Sequence, residues 1–164
     1  MRANFTALTK IAMALLFLGV AFAQGRAVAQ QSSDMEKVKA ASQAFYAALN
    51  ARDPGAMAKV YAHTPYVAYI PPVGSDIAVG WEAVNKTWEE VFHKVTSKID
   101  MSYKRAGGPQ IEGNLAWEVG TERGPVTFAD GKTVDFGVLP TNIYQKIDGR
   151  WLMISHQAGQ IPPK

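Results

Sequence analysis

The sequence predicts an α+β fold: a cone-shaped, cystatin-like roll in which three N-terminal helices pack across one face of a curved, mostly antiparallel sheet. Three observations predict it. From Leu115 to Ala158 the chain reads as two or three long antiparallel strands, the last pair joined at Asp148-Gly149, a dipeptide suited to a tight hairpin. Three stretches with apolar residues at helical spacing precede them. No internal repeat, low-complexity tract or linker breaks the order, so one domain is expected. Helices over one face of such a sheet leave an open end, which is a pocket rather than a filled core.

Residues 1–29 read as a secretory signal peptide. Arg2 and Lys10 make a basic start, Ile11 to Ala23 is an apolar run too short to span a membrane, and Ala27-Val28-Ala29 fits a small-x-small cleavage site. Ala21-Phe22-Ala23 is a second cleavage candidate, and an uncleaved anchor is the alternative to cleavage. Export to the periplasm or medium is therefore expected, with no stable membrane insertion once the leader is removed. The chain holds 17 basic and 14 acidic residues, but Arg2, Lys10 and Arg26 fall in the leader with no acid beside them, leaving 14 against 14. A neutral mature domain argues against nucleic acid as a partner. The absence of cysteine excludes disulfides, thiol catalysis and zinc-thiolate sites, so stability must come from the core.

A polar, flexible tether is expected over 30–35 and the domain itself over 36–160. Val38, Ala41, Phe45, Ala48 and Leu49 predict a long helix from Ser33 or Asp34 to Ala51. Asp53 caps a second, short helix whose first turn holds Pro54 and which carries Met57, Val60 and Tyr61. Tyr66 to Ile70 reads as a short strand stopped by Pro71-Pro72. Gly80 opens a third helix with Trp81, Val84, Trp88, Val91 and Phe92 on one stripe. Ile99, Met101, Tyr103 and Arg105 alternate with polar residues as a half-buried strand. In the next strand Leu115, Trp117, Val119 and Thr121 are expected to face inward, with Glu118 and Glu122 on a solvated face. Asp130-Gly131 turns the chain into a strand from Thr133 to Ile147. The last strand, Arg150 to Gln157, is apolar on both sides: Trp151, Met153, Ser155 and Gln157 share one face, Leu152, Ile154 and His156 the other. Helices cover only one face, so a second subunit is expected on the other, making a homodimer.

This order of elements resembles the nuclear-transport-factor-like superfamily, which includes ketosteroid isomerases and SnoaL-like polyketide cyclases. The similarity spans about 36–160. Its most specific stretches are Gln43-Ala44-Phe45-Tyr46-Ala47-Ala48-Leu49-Asn50-Ala51-Arg52-Asp53, Pro72-Val73-Gly74-Ser75, Thr141-Asn142-Ile143-Tyr144 and Asp148-Gly149-Arg150-Trp151. The resemblance implies the fold more than an activity. The place of the isomerases' catalytic aspartate falls on Pro71, that of the oxyanion tyrosine on Phe45, and that of its protonated aspartate partner on Asn142. The aspartate–histidine pair of many SnoaL-like proteins falls on Asn142 and Gln157, amides that bind but do not titrate.

The resulting expectation is a pocket for a small apolar or aromatic molecule, without a cofactor, lined by Tyr46, Tyr69, Trp88, Trp117, Arg123, Asn142, Tyr144 and Gln157. Each aromatic residue here has ordinary core packing as its alternative role, and Arg123 is either a carboxylate anchor or a solvated strand-end side chain. His156 is a candidate general base if it faces inward, and an interface residue if strand alternation holds. Metal binding by His63, His93 and His156 is not expected, since no i, i+4 pair accompanies them. An enzyme of the isomerase, cyclase or dehydratase kind, with a relocated acid-base group, and a purely structural dimer remain alternatives.

Overall fold

The computed structural model describes residues 29–73 and 76–161. The expected leader up to Val28 lies outside the described residues. The chain divides into two compact units, Met1–Glu36 and Lys37–Lys164. In the first, residues 29–36 are helical rather than a flexible tether. No Gly or Pro interrupts that stretch, and Gln30 Nε2 donates to Asp34 Oδ2 one turn away at 3.0 Å.

The second unit carries the predicted α+β architecture. Its helix α1 (37–51) ends at Arg52, whose φ of 52° is left-handed and stops the helix. The Arg52 guanidinium donates to the carbonyls of Phe92 and Ser97. Helix α2 (Pro54–Val60) has Asp53 as its cap, accepting from the Ala56 N–H at 2.9 Å. Two short strands follow, β1 (Ala68–Ile70) and β2 (Ala78–Val79), and then α3 (Trp81–Glu90), which ends in a wider π turn over Val91–Val95. The strand expected around Ile99 is two strands, β3 (Thr96–Ile99) and β4 (Ser102–Arg105). They part at Asp100, whose carbonyl sits against Gly124 so closely that a Cβ there would lie 2.0 Å from it. Strand β5 (Gln110–Glu112) precedes the long strands β6 (Leu115–Phe128), β7 (Thr133–Ile147) and β8 (Arg150–Gln160). The β7–β8 turn holds Asp148 at φ 49° and Gly149 at φ 77°, the two positive values a tight hairpin of this hand requires.

The sheet runs in the order β2-β1-β8-β7-β6-β3, and β4 and β5 also pair with β6. Strand β1 is parallel to β8; the other pairings are antiparallel. Two irregularities decide which side chains face inward. Between Val119↔Thr141 and Glu122↔Val138 the β6–β7 pairing lapses where Pro140, which has no N–H, lies opposite Gly120. Between β7 and β8 the register shifts by one residue, because Ile143 pairs with Ser155 while Tyr144 pairs with Met153. Ile154 is the extra residue of this bulge, so alternation reverses beyond it. Trp151 and Met153 are buried before the bulge, His156 and Ala158 after it.

The core packs Val38, Phe45, Leu49, Met57, Tyr61, Val84, Trp88 and Phe92 of the helical side against Ala116, Tyr144, Trp151 and Met153 of the sheet. Gly120 is required where Tyr103 crosses β6. A Cβ there would lie 2.4 Å from the Tyr103 ring and 2.5 Å from the Lys104 carbonyl oxygen. Gly120→Ala is expected to cost roughly 1–3 kcal/mol through displacement of β4. Urea denaturation measures it, and an unchanged midpoint would contradict the packing described.

Candidate functional site

The inner row of β6 is Ala116, Glu118, Gly120 and Glu122, not the apolar residues between them. Glu118 is 2% exposed and Glu122 4%. A carboxylate so far from water must be met by donors, and Glu118 is met by four. Its Oε1 accepts from Ser42 Oγ at 2.5 Å, Tyr144 Oη at 3.0 Å and Asn142 Nδ2 at 3.2 Å, and its Oε2 pairs with Arg105 Nε at 2.5 Å. Ser42 comes from α1, Arg105 from β4, and Asn142 and Tyr144 from β7, so one carboxylate ties a helix to three strands.

Three further bonds carry the network to a cavity. Tyr46 Oη receives Asn142 Nδ2 at 3.2 Å and donates to Glu122 Oε1 at 2.7 Å. On the other side Asn142 Oδ1 meets His156 Nδ1 at 2.6 Å. The Tyr46 ring is held by stacking on Tyr103, 4.6 Å between centroids at 12°. Glu122 and His156 then line a cavity of about 580 Å³, whose walls are largely apolar: Leu49, Trp88, Val126, Phe136 and Val138 among them.

Burial sets the protonation of these groups. It pushes the Glu122 carboxyl up to about 7, the hydrogen bond from Tyr46 opposing. It holds His156 down at about 3, so the imidazole is neutral. Tyr46 is raised, first by burial and then by the Glu122 charge, and Tyr69 is raised for the same two reasons. The cavity therefore ends in an uncharged imidazole and a carboxyl that titrates near neutrality.

Of the residues expected to line a pocket, Tyr69 and Trp88 do so. Tyr46, Asn142 and Tyr144 are buried one layer behind, in the hydrogen-bonded network. Three expectations are corrected. Trp117, 41% exposed, and Arg123 lie on the outer face, because polar residues take the inner row of β6. Gln157 is exposed, because the bulge at Ile154 turns His156 inward in its place. Glu118 and Glu122 are not solvated. Pro71, at the isomerase base position, does line the cavity, while Phe45 is in the core. His63 stacks on Trp81 with centroids 3.9 Å apart, and no cluster of metal-binding side chains occurs among the described residues. Ser42, Arg105 and the two glutamates were not among the expected site residues; the available signal was the number of hydroxyl and amide donors on α1 and β7 that would otherwise be buried unpaired.

Residues 38–162 match the model of the SnoaL-like domain. No curated protein matches the sequence. Among solved structures, a calcium/calmodulin-dependent protein kinase type II association domain from Thiobacillus denitrificans is similar at 27% identity and TM-score 0.65, over 76% of this chain and 94% of that one. A ketosteroid isomerase-like protein from Erwinia carotovora atroseptica has 23% identity and TM-score 0.69, covering 79% and 98%. A protein from Streptomyces avermitilis described as a dehydratase of the nuclear transport factor 2-like family has 19% identity and TM-score 0.68, covering 80% and 99%. At these last two identities the likeness is one of fold.

The two cavity groups give stability opposite pH dependences. Below about pH 4.5 Glu122 is protonated in both states; as pH rises from there through about 7 the unfolded chain releases its proton first, and stability falls by up to roughly 3 kcal/mol. His156 acts in reverse: as pH falls from 6.5 towards about 3 the unfolded chain takes up a proton that the folded chain refuses, so stability is lost on acidification. Glu122→Gln is therefore expected to raise the melting temperature at about pH 8 and much less at about pH 5. An equal gain at both would count against a buried, titrating carboxyl.

Proposed function

The chain belongs to the SnoaL-like domain family, and from that premise we propose that it binds one small, largely apolar molecule in the cavity, with the polar end of the ligand against Glu122 and His156. The observation that supports this reading most is the convergence of two polar groups on one end of an otherwise apolar cavity of about 580 Å³, a size suited to small ligands. Native mass spectrometry of the purified protein should detect a co-purifying or added apolar molecule in stoichiometric amount. A cavity that takes up no bicyclic aromatic probe at millimolar concentration would sink the proposal.

A second reading, proton transfer of the isomerase, cyclase or dehydratase kind, is favoured by the placement of Glu122 in the cavity wall with its carboxyl near neutrality. It relocates the acid-base group from the Pro71 position to β6. Under it, Glu122→Gln lowers turnover by roughly 10²-fold or more while ligand affinity changes only a few-fold. Under the binding reading there is no turnover to lose.

Export and a homodimer complete the proposal. The leader pattern of residues 1–29 supports the first. For the second, Leu115, Trp117 and Val119 of β6 and Leu139 of β7 are 40 to 56% exposed on the outer sheet face. This row replaces Leu152 and Ile154 as the expected contact; both are half-buried, Ile154 at the bulge. Trp117→Lys should convert a dimer to a monomer in light scattering, and an unmodified protein already monomeric at micromolar concentration would refute the dimer.

A further inference from the structure

The direction of each hydrogen bond in the buried network can be assigned, and the assignment determines what the cavity offers a ligand. Asn142 is the pivot. Its amide has one end with hydrogens and one without, and one end lies 3.2 Å from Glu118 Oε1. That oxygen belongs to a carboxylate paired with Arg105 and already accepting from Ser42 and Tyr144, so it has no hydrogen to give. The nitrogen of Asn142 must face it, because a flipped amide would set oxygen against oxygen at the centre of the network.

With the nitrogen so placed, Asn142 Oδ1 faces His156 Nδ1 at 2.6 Å and needs a donor there. The proton of the neutral imidazole is then on Nδ1 and Nε2 is a bare acceptor. Nε2 has no hydrogen-bond partner among the described residues. Tyr46 is fixed in the same way. Having accepted from Asn142, its hydroxyl points its single proton at Glu122 Oε1, and Glu122 Oε2 has no partner among the described residues. Glu118 thus fixes two bond directions at once, one through Asn142 to the imidazole and one through Asn142 and Tyr46 to the second carboxyl.

On the alkaline side of the Glu122 titration both groups at the polar end of the cavity, His156 Nε2 and the ionised Glu122, accept hydrogen bonds; on the acid side the Glu122 proton sits on Oε2 and only His156 Nε2 accepts. We propose that this end is built to receive a donor, so that the ligand is a phenol, an alcohol or an N–H compound rather than a molecule whose polar groups are solely ketone, ester or ether oxygens. Among the other polar groups of the wall, the Trp88 Nε1–H has no hydrogen-bond partner among the described residues but is buried away from the cavity space, and the rest do not reverse the preference. Thr87 and Thr96 spend their hydroxyl protons on the carbonyls of Ala83 and Val91, Lys86 is exposed at the rim, and the Tyr69 hydroxyl serves either as donor or acceptor. A ligand without a donor leaves two buried acceptors unpaired.

The inference rests on the binding reading, and the experiment separates the two. Long-range proton–nitrogen correlation spectra of the ligand-free protein report which His156 nitrogen carries the proton: Nδ1–H is expected, and Nε2–H overturns the assignment. In parallel, calorimetry compares 2-naphthol with 2-methoxynaphthalene, two probes of nearly equal shape, on the alkaline side of the Glu122 titration. Naphthol should bind at least about tenfold tighter, and equal or inverted affinities overturn the proposal. If neither probe binds, it is the pocket reading that fails, while the tautomer still decides the direction of the hydrogen bonds without any ligand.

Discussion

A carboxylate in the middle of the inner face of a sheet has to be surrounded by donors, and most of this domain's polar architecture follows from how Glu118 is surrounded. Each donor is worth about 1.5–3 kcal/mol when made to a charged group, and each left unmade costs a comparable desolvation. Ser42 on α1, Arg105 on β4, and Asn142 and Tyr144 on β7 are all committed to it. That fixes the distance between α1 and the sheet and the pairing of β4 with β6. It also leaves Asn142 with one free acceptor, which holds His156. The cavity's polar end is thus positioned from a residue that does not itself line the cavity.

Two local breaks in the sheet give the network room. Pro140 interrupts the β6–β7 ladder opposite Gly120, where the Tyr103 ring lies over the strand. The bulge at Ile154 then resets the facing of β8 at the level of the cavity. Without the bulge, Gln157 would face the helices and His156 would face outward, and the site would carry an amide in place of an imidazole. The apolar outer row of β6 and the polar inner row have the same origin: a strand whose interior side meets a hydrogen-bonded network and whose exterior side carries Leu115, Trp117 and Val119.

The fold was legible in the sequence because helix periodicity, the Asp53-Pro54 cap and the Asp148-Gly149 turn are local signals, and each formed where expected. The site was less so. Parity arguments assume that apolar residues point inward and that a strand keeps its register; β6 violates the first assumption and β8 the second. Glu118 and Glu122 read as solvent-facing because a single strand cannot reveal that Ser42, Tyr46 and Tyr144 are waiting across the core. The bulge at Ile154 has no Gly to mark it. Tyr69 and Trp88, which depend on neither assumption, reach the cavity as expected.

Strand β6 buries its acidic row and delivers one carboxyl to the end of an apolar cavity. The side-chain carboxyl carbon of Glu122, followed by nuclear magnetic resonance as pH is varied and assigned with Glu122→Gln, reports whether that carboxyl is buried. A midpoint near 7, displaced upward by burial, is expected. A midpoint near the ordinary 4.5 would mean that Glu122 faces water, and the site described would not exist.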